Sequence, residues 1–426
     1  MLIIICPTAV NLFALTMIDP ELDGSVAALI QRLTSPGGAA ALVREAFPAP
    51  TPRAVAFLAG LLLLQILLLV VVPGQRFHGP RAPSGHVPQY TDNGFACFFI
   101  TLATLAIACT SLGDTVFPLT LIYDELLPIL STLNAGALAI SVCLCFKGLN
   151  YPSTRDSGST GSTIMDLYWG TELYPRILGI DLKQALVARY GIMLWALFAL
   201  SFAFKSAELQ NKSDGLPFGQ SVSCALQVVY IGKFYYWERW YMHAADIQVD
   251  RYGFMMCWGP LCFMPLVHTL QNLYLVGHVG LQMSPGLAAT YLVLGNTMTL
   301  LNYDADTQRH RIRAASGKCI VWGKPAKVIR ASFTTADGKR HSAILSACGY
   351  QALSRHFHYL PDIINLFLYC SPAGFTRVLP FLYFIYLTSL LVDRTYRIDA
   401  RCHAKYGKDW ERYVALVKHR LIPGVW

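Results

Sequence analysis

Arg355 and Asp362 stand in an apolar run that extends from Ala343 to Cys370. An ionisable side chain at membrane depth is costly unless it is paired or faces a polar cavity, so such residues mark a functional site. His356, His358 and Tyr359 lie between them, and the next apolar run, Val378 to Val392, leads into a tail rich in cations and aromatic rings. That tail contains Arg394, Arg397, Asp399, Arg401, Cys402, Lys405, Tyr406, Trp410 and Tyr413. Arg309 and Arg313, four residues apart just past another apolar run, share one face of a helix. Guanidinium groups at that spacing suit a pyrophosphate or a ribose phosphate, because each can donate two parallel hydrogen bonds. The chemistry implied is the binding of an anionic, phosphate-bearing cofactor.

A second polar stretch, Lys233 to Trp258, holds Glu238, Tyr241 and Asp246 between two apolar runs. At about 100° per residue on a continuous helix, Glu238 falls near both of the others, so the three can face one pocket. A carboxyl group desolvated in such a pocket stays protonated and can act as an acid near neutral pH. For the tryptophans and tyrosines of this stretch, the simpler reading is an aromatic belt at the membrane interface. Gln271, Asn272 and Tyr274 are polar tips in an apolar wall, suited either to holding a substrate hydroxyl or to joining helices.

The elements that must position these groups are membrane helices. Of 426 residues, 54% are hydrophobic and 14% charged, against about a quarter charged in soluble proteins. Apolar runs at Leu2 to Thr16, Ala54 to Val72, Phe95 to Leu112, Pro128 to Phe146, Val187 to Phe204, Gln220 to Tyr236, Phe254 to Val276, Leu287 to Leu301, Ala343 to Cys370 and Val378 to Val392 predict about ten transmembrane helices. The expected fold is an all-α integral membrane protein, one polytopic domain over 1–426. Residues 302–426 form its cofactor-binding part, with the pocket between C-terminal helices and cytosolic loops.

With the tail in the cytosol, alternation places 27 of the 34 Lys and Arg in cytosolic segments and their flanks, 6 in lumenal ones and Arg355 within a run, as the positive-inside rule requires. The clusters at Asn302 to Arg340 and in the tail concentrate the net charge of +9 on one face, which suits an anionic ligand or anionic lipids. None of the 12 Cys falls in a lumenal segment, so a disulfide framework is not expected. No cysteine or carboxylate spacing suits a metal, and the first run is read as a retained span, since it lacks a basic leader and a cleavage site. The Gly-Ser-Thr segment 157–161 lacks P-loop spacing. No Gly-x-Gly-x-x-Gly is present, which excludes a Rossmann unit. Glu172 and Arg176 are spaced to pair with each other. Ala336-Asp337-Gly338-Lys339 signals a hairpin. Cys402, Tyr406, Trp410, Tyr413 and Val417 form a stripe that packs the tail against the bundle, with Asp409 placed to cap a helix at Trp410.

The order Arg355-His356-Phe-x-Tyr359-x-x-Asp362, then Leu379-Pro380-x-x-Tyr383, then Arg401-Cys402-x-x-Lys405-Tyr406-Gly407-x-Asp409-Trp410-x-x-Tyr413, ending Arg420-Leu-Ile-Pro423-Gly424, resembles the sterol reductase family. The stretches 79–94, 170–177 and 270–278 are also similar to family patterns, so the resemblance spans most of the chain. The chain departs from the family pattern at His358 (for asparagine), Pro361 (for glycine), Tyr350-Gln351 (for Trp-Gly) and Tyr174 (for asparagine), and Arg309 takes the place of a lysine.

The resemblance implies an NADPH-dependent reduction of a sterol ring double bond. It points to the Δ7 bond of a Δ5,7-sterol such as 7-dehydrocholesterol, with Δ14 reduction as the alternative. It further implies NADPH contacts from Arg309, Arg313, Arg355, His356, His358, Tyr359, Asp362, Arg397, Asp399, Cys402, Lys405, Tyr406 and Tyr413. Sterol contacts would come from Gln271 and Tyr274, and proton donation from Asp246 with Tyr241, or from Glu238. The implied setting is the endoplasmic reticulum membrane, with sterol and lipids as partners, association with other enzymes of sterol synthesis, and no nucleic acid. An isoprenylcysteine-type methyltransferase using S-adenosylmethionine and a non-catalytic sterol-binding scaffold are the readings from other classes.

Overall fold

The computed structural model describes residues 1–82, 84–113, 117–210, 218–278, 280–334 and 340–426, apart from the side chain of Gln210. The chain folds as two compact units, Met1–Ser284 with Pro372–Phe381, and Pro285–Ser371 with Leu382–Trp426. The second begins at Pro285.

The first unit contains helices α1 (Leu2–Ile18), α2 (Pro52–Val71), α3 (Gly94–Leu112), α4 (Leu126–Asn150), α5 (Ile192–Gln210), α6 (Phe218–Tyr236) and α7 (Leu270–Gly277). Four helices in the described residues are long and apolar enough to cross a membrane: α2, α3, α4 and the stretch Lys183–Leu209. The last is α5 preceded by a π-helical segment, Lys183–Gly191. Its apolar window is 94% buried and that of α3 only 17%, so α5 is the central helix of this unit and α3 a peripheral one. At the start of α2 the Thr51 hydroxyl accepts a hydrogen bond from the Ala54 amide, with Pro52 at the first turn. At its end the Asn93 side chain donates to the carbonyls of Leu68, Leu69 and Val72, in the last turn where carbonyls run short of amide partners. The run Phe254 to Val276 is broken, contrary to its reading as one span. Phe254–Trp258, a π-helical turn Gly259–Phe263, Met264–Val267 and α7 follow one another, with Pro260 and Pro265 interrupting the hydrogen-bond ladder.

Polar contacts sort the loops of this unit into two sets. One set joins Asp23 to His278 and Arg377, Thr51 to Glu125, and Lys205 to Asp124. The other joins Ser84 to Asp156, Arg176 to Gln89, Arg251 to Gly158, and Lys183 to Ile247 and Asp250. These two sets are the loops that alternate between opposite faces in the sequence reading. Glu172 pairs with Lys147 at 2.8 Å, and Arg176 lies 3.9 Å from Asp181. The expected Glu172–Arg176 pair is absent because residues 171–177 are not helical.

Four antiparallel strand pairs join the helices: β1 (Gln75–His78) with β2 (Gln89–Asp92), β3 (Arg176–Ile177) with β4 (Ile180–Asp181), β5 (Ile320–Val321) with β6 (Lys324–Pro325), and β7 (Val328–Thr334) with β8 (Arg340–Ser346). The fold is therefore mostly helical and not purely so.

The second unit holds α8 (Pro285–Ala314), α9 (Tyr359–Cys370), α10 (Leu382–Tyr406), α11 (Lys408–Leu416) and strands β5 to β8. The apolar run Ala343 to Cys370 is not a single span. It begins in β8, and only the 12 residues of α9 form its long helix; at 1.5 Å per residue that helix covers about 18 Å, short of the ~30 Å hydrocarbon core. Arg355 therefore lies in the turn before α9 and not inside a helix. The hairpin expected around Asp337-Gly338 is present as β7–β8, paired up to Thr334 and Arg340; Asp337 and Gly338 themselves lie outside the described residues. The tail stripe forms as read, but Trp410, Tyr413 and Val417, with Cys402 and Tyr406, pack on Ile329, Ala331, Leu345 and Ala347 of the hairpin. Asp409 does not cap α11. Gly407 occupies the cap position, and Asp409 accepts a hydrogen bond from the Ser332 amide at 3.2 Å.

Candidate active site

In the second unit, α8, the Ser354–His358 turn, α10 and the C-terminal segment bring most of the basic candidates together. Arg355 donates to the carbonyls of Val417 and Lys418 at 2.7 and 3.0 Å and to the Asp399 carboxylate at 2.9 and 3.4 Å. Arg420 donates to the same carboxylate at 2.9 Å, and His356 Nε2 lies 3.6 Å away. Burial opposes the charge on Asp399, and the neighbouring His356 ring and Arg355 guanidinium overcome it, holding the carboxyl well below its ordinary value. Arg355, His356 and Asp399 thus fasten the C-terminal segment.

Asn302 donates to the His358 carbonyl and to Asp362, both at 2.9 Å, and so ties the start of α9 to α8. Tyr359 stacks on His356 at 5.6 Å and lies within electrostatic reach of Arg394, Arg309 and Asp306. Tyr413 has Arg355, Arg313, Asp399 and Cys402 around it, and Tyr406 lies beside Cys402 and Arg313. Arg309 pairs with Asp306 at 2.7 Å. Its buried Nε and the Thr307 hydroxyl have no hydrogen-bond partner among the described residues. Arg313 is exposed and has no ion-pair partner among the described residues. Two members of the expected basic face are committed elsewhere: Arg397 pairs with Asp393 at 2.6 Å, and Lys405 sits 3.9 Å over the Phe333 ring. Gly349, at φ +58, lets the chain turn against Gln308, whose side chain accepts from the Tyr350 amide at 2.9 Å; a Cβ there would clash with that side chain. Tyr350 also bonds to Asp304 at 2.9 Å, so the Tyr350-Gln351 departure is built into the wall of α8.

In the first unit, Glu238, Tyr241 and Asp246 do not share one helix. Glu238 and Tyr241 belong to a single turn, Glu238–Tyr241, and Asp246 to a separate one, Ala245–Val249. Glu238 is fully buried against Arg189, with Nε and Nη2 each 2.7 Å from its oxygens, while Gln184 approaches at 3.4 Å. Arg189 Nη2 also donates to Asn93 and to the Thr91 carbonyl. Gly94 is required beside this pair, because a Cβ there would fall on a Glu238 oxygen. Burial pushes the Glu238 carboxyl above its ordinary value while the Arg189 guanidinium and the Gln184 amide oppose that shift, and the close pairing with Arg189 makes Glu238 a support of the fold. Tyr241 is half-buried, its ring 4.9 Å from Phe234 and packed beside Phe77, Tyr90, Met242 and Ile247. Asp246 is half-buried on a turn whose end is held by Lys183, which donates to the carbonyls of Ile247 and Asp250 at 2.7 and 2.6 Å. Gln271 is fully buried; it donates to the His268 carbonyl at 2.7 Å, and its Oε1 has no hydrogen-bond partner among the described residues. Tyr274 stacks on His278 at 4.0 Å, and His278 in turn meets Asp23 at 2.6 Å. Asn272 accepts from Gln227 and Ser223 at 2.5 and 3.3 Å, which makes it a helix-joining residue.

Residues 11–426 match the Ergosterol biosynthesis ERG4/ERG24 family. The chain belongs to this sterol reductase family. It is 39% identical to a 7-dehydrocholesterol reductase of Arabidopsis thaliana, over all of this chain and 96% of that protein. It is 35% identical to a 7-dehydrocholesterol reductase of Danio rerio, over 82% of this chain and 72% of that one. It is also 32% identical to a Delta(14)-sterol reductase of Methylotuvimicrobium alcaliphilum, over 88% and 84%. As a sterol reductase the chain is an oxidoreductase acting on a sterol carbon–carbon double bond.

For a sterol reductase the residues that sequence reasoning passed over are the supports. Arg189 and Lys183 sit in or beside an apolar run, a signal that marks buried pairing as readily as function. Asn302, Asp304 and Gln308 lie at intervals of two and four just past the apolar part of α8, but only the fold shows that they face the turn before α9. The donors that fit an anionic nucleotide are the unpartnered Arg309 Nε and Thr307 hydroxyl and the exposed Arg313.

Proposed function

We propose that this sterol reductase uses NADPH to saturate the Δ7 double bond of a Δ5,7-sterol such as 7-dehydrocholesterol, in the endoplasmic reticulum membrane with its C-terminus in the cytosol. The observation that carries the nucleotide assignment is the gathering of Arg309, Arg313, Tyr359, Arg394, Tyr406 and Tyr413 within the second unit. Arg309 and Arg313 hold the phosphates, and the extra phosphate of NADP rewards the clustered arginines. Arg355, His356 and Asp399 keep the C-terminal segment in place beside them. The names of the Arabidopsis and Danio relatives support Δ7.

The reduced nicotinamide, when bound, supplies the hydride. The protein supplies the proton, the orientation and the exclusion of water. The sterol is oriented by Gln271, whose unpartnered Oε1 accepts a hydroxyl hydrogen, and by Tyr274. Asp246 is the acid, acting directly or through Tyr241, and Lys183 holds its turn. Glu238 is a supporting residue paired with Arg189. A conjugated diene eases protonation because the developing positive charge is delocalised.

Δ14 reduction is the second reading, favoured by the name of the Methylotuvimicrobium relative. Purified protein given NADPH and either 7-dehydrocholesterol or a Δ8,14-sterol separates the two. Turnover of the first with loss of its diene absorbance is expected. Turnover of the Δ8,14-sterol alone would overturn the Δ7 assignment, and saturable S-adenosylmethionine binding without NADPH binding would overturn the reductase reading.

A further inference from the structure

The β5–β6 tip of the second unit carries exposed apolar and basic side chains together. Ile320 and Trp322 are 66% and 57% exposed, unusual for residues so large and apolar. Lys318, Lys324, Lys327 and Arg330 surround them and are all exposed. From Thr307 to Thr334 the chain has seven cations and no acidic residue, and Asp306 and Asp409 meet this stretch away from the tip, at Arg309 and at the Ser332 amide.

The height of the tip follows from its contacts. Trp322 packs edge-on against Tyr350 at 4.9 Å, and Tyr350 is bonded to Asp304 and Gln308 of α8. Those residues come three and seven positions after Leu301, the last of the apolar run, which is about 4 to 10 Å along a helix. The headgroup layer on each side of the hydrocarbon core is about 5 to 8 Å thick. If the run Leu287 to Leu301 spans the membrane as the sequence reading has it, Trp322 is held at headgroup depth. A tryptophan and an isoleucine among lysines at that depth have the composition of an interfacial anchor, with rings at the headgroup level and ammonium groups on lipid phosphates. Trp322 at φ +49 and Gly323 at φ +76 form the tight turn that presents these side chains at the tip.

We propose that the 318–327 tip docks on the cytosolic leaflet and binds the anionic phospholipid surface, with Ile320 and Trp322 inserted and Lys318, Lys324 and Lys327 on the phosphates. The test is amide hydrogen exchange, read by mass spectrometry on the full chain in nanodiscs of phosphatidylcholine with or without phosphatidylserine. Anionic discs should slow exchange in residues 315–327 by about fivefold or more, and leave the tail peptide around Arg401 unchanged. Both Lys318→Gln/Lys324→Gln/Lys327→Gln and Ile320→Ser/Trp322→Ser should abolish the slowing. Equal exchange of the parent protein in the two discs would overturn the proposal whatever the variants do. Slowing produced by NADPH in neutral discs, with no effect of lipid charge, would assign the tip to the nucleotide instead.

Discussion

At the scale of single residues, charge state and partnering separate chemistry from support. Arg313 is exposed and without an acidic partner among the described residues, whereas Arg355 spends its donors on Asp399 and two carbonyls. Arg313→Ala should therefore raise the KM for NADPH by about tenfold to a hundredfold, the loss of one charge-assisted contact, with sterol affinity unchanged. Steady-state kinetics with NADPH varied provides the check, and an unaltered KM in a folded variant refutes the assignment. Asp246 and Glu238 should part in the same manner. Asp246→Asn keeps the shape and removes the acid, so turnover should fall roughly a hundredfold or more while both ligands still bind. Glu238→Gln strips the buried Arg189 of its counter-charge and should instead lower stability by about 3 to 5 kcal/mol, measurable as a drop in Tm of the detergent-solubilised protein. If Asp246→Asn keeps near-parent turnover, Asp246 is structural.

At the scale of elements, the C-terminal tail is fastened at two places, by Arg355 and Arg420 on Asp399 and by Trp410, Tyr413 and Val417 on the β7–β8 hairpin. Arg355→Ala should loosen the first fastening. Trypsin cleavage after Lys408 should then rise, and NADPH affinity should fall because Tyr406 and Tyr413 are carried on the same segment. The fastening depends on the Asp399 charge. Its carboxyl sits below the ordinary 3.8, so its contribution is complete above that value and is lost as pH falls below it; cleavage should not vary from about pH 5 to 8 on this account. A tail that stays protease-resistant in Arg355→Ala would show that the hairpin contact alone suffices.

At the scale of the whole molecule, sidedness is the property to test. The polar contacts of the first unit divide its loops into the same two groups that alternation of the apolar runs assigns to opposite faces. By the alternation read from the sequence, 27 of the 34 Lys and Arg fall on the side assigned to the tail. A tag placed after Trp426 should be digested by protease in sealed microsomes, and its protection would invert the topology.

Sequence alone determined the membrane class, the apolar runs and the family, because these rest on composition, on spacing of about twenty residues and on motif order. It also determined the tail stripe, since the helical period is local. The tertiary structure decided what each polar group is for. Ala343 to Cys370 is apolar throughout much of its length, yet hydrophobicity does not distinguish a strand paired to β7 from a helix facing lipid. Glu238 reads as an acid until Arg189, 49 positions earlier, is seen against it. Arg355 reads as a cofactor contact, and only the fold shows Asp399 and the carbonyls of 417 and 418 around it. A buried charge is functional or structural according to the partner the fold brings, and that partner lies too far along the chain for spacing to reveal.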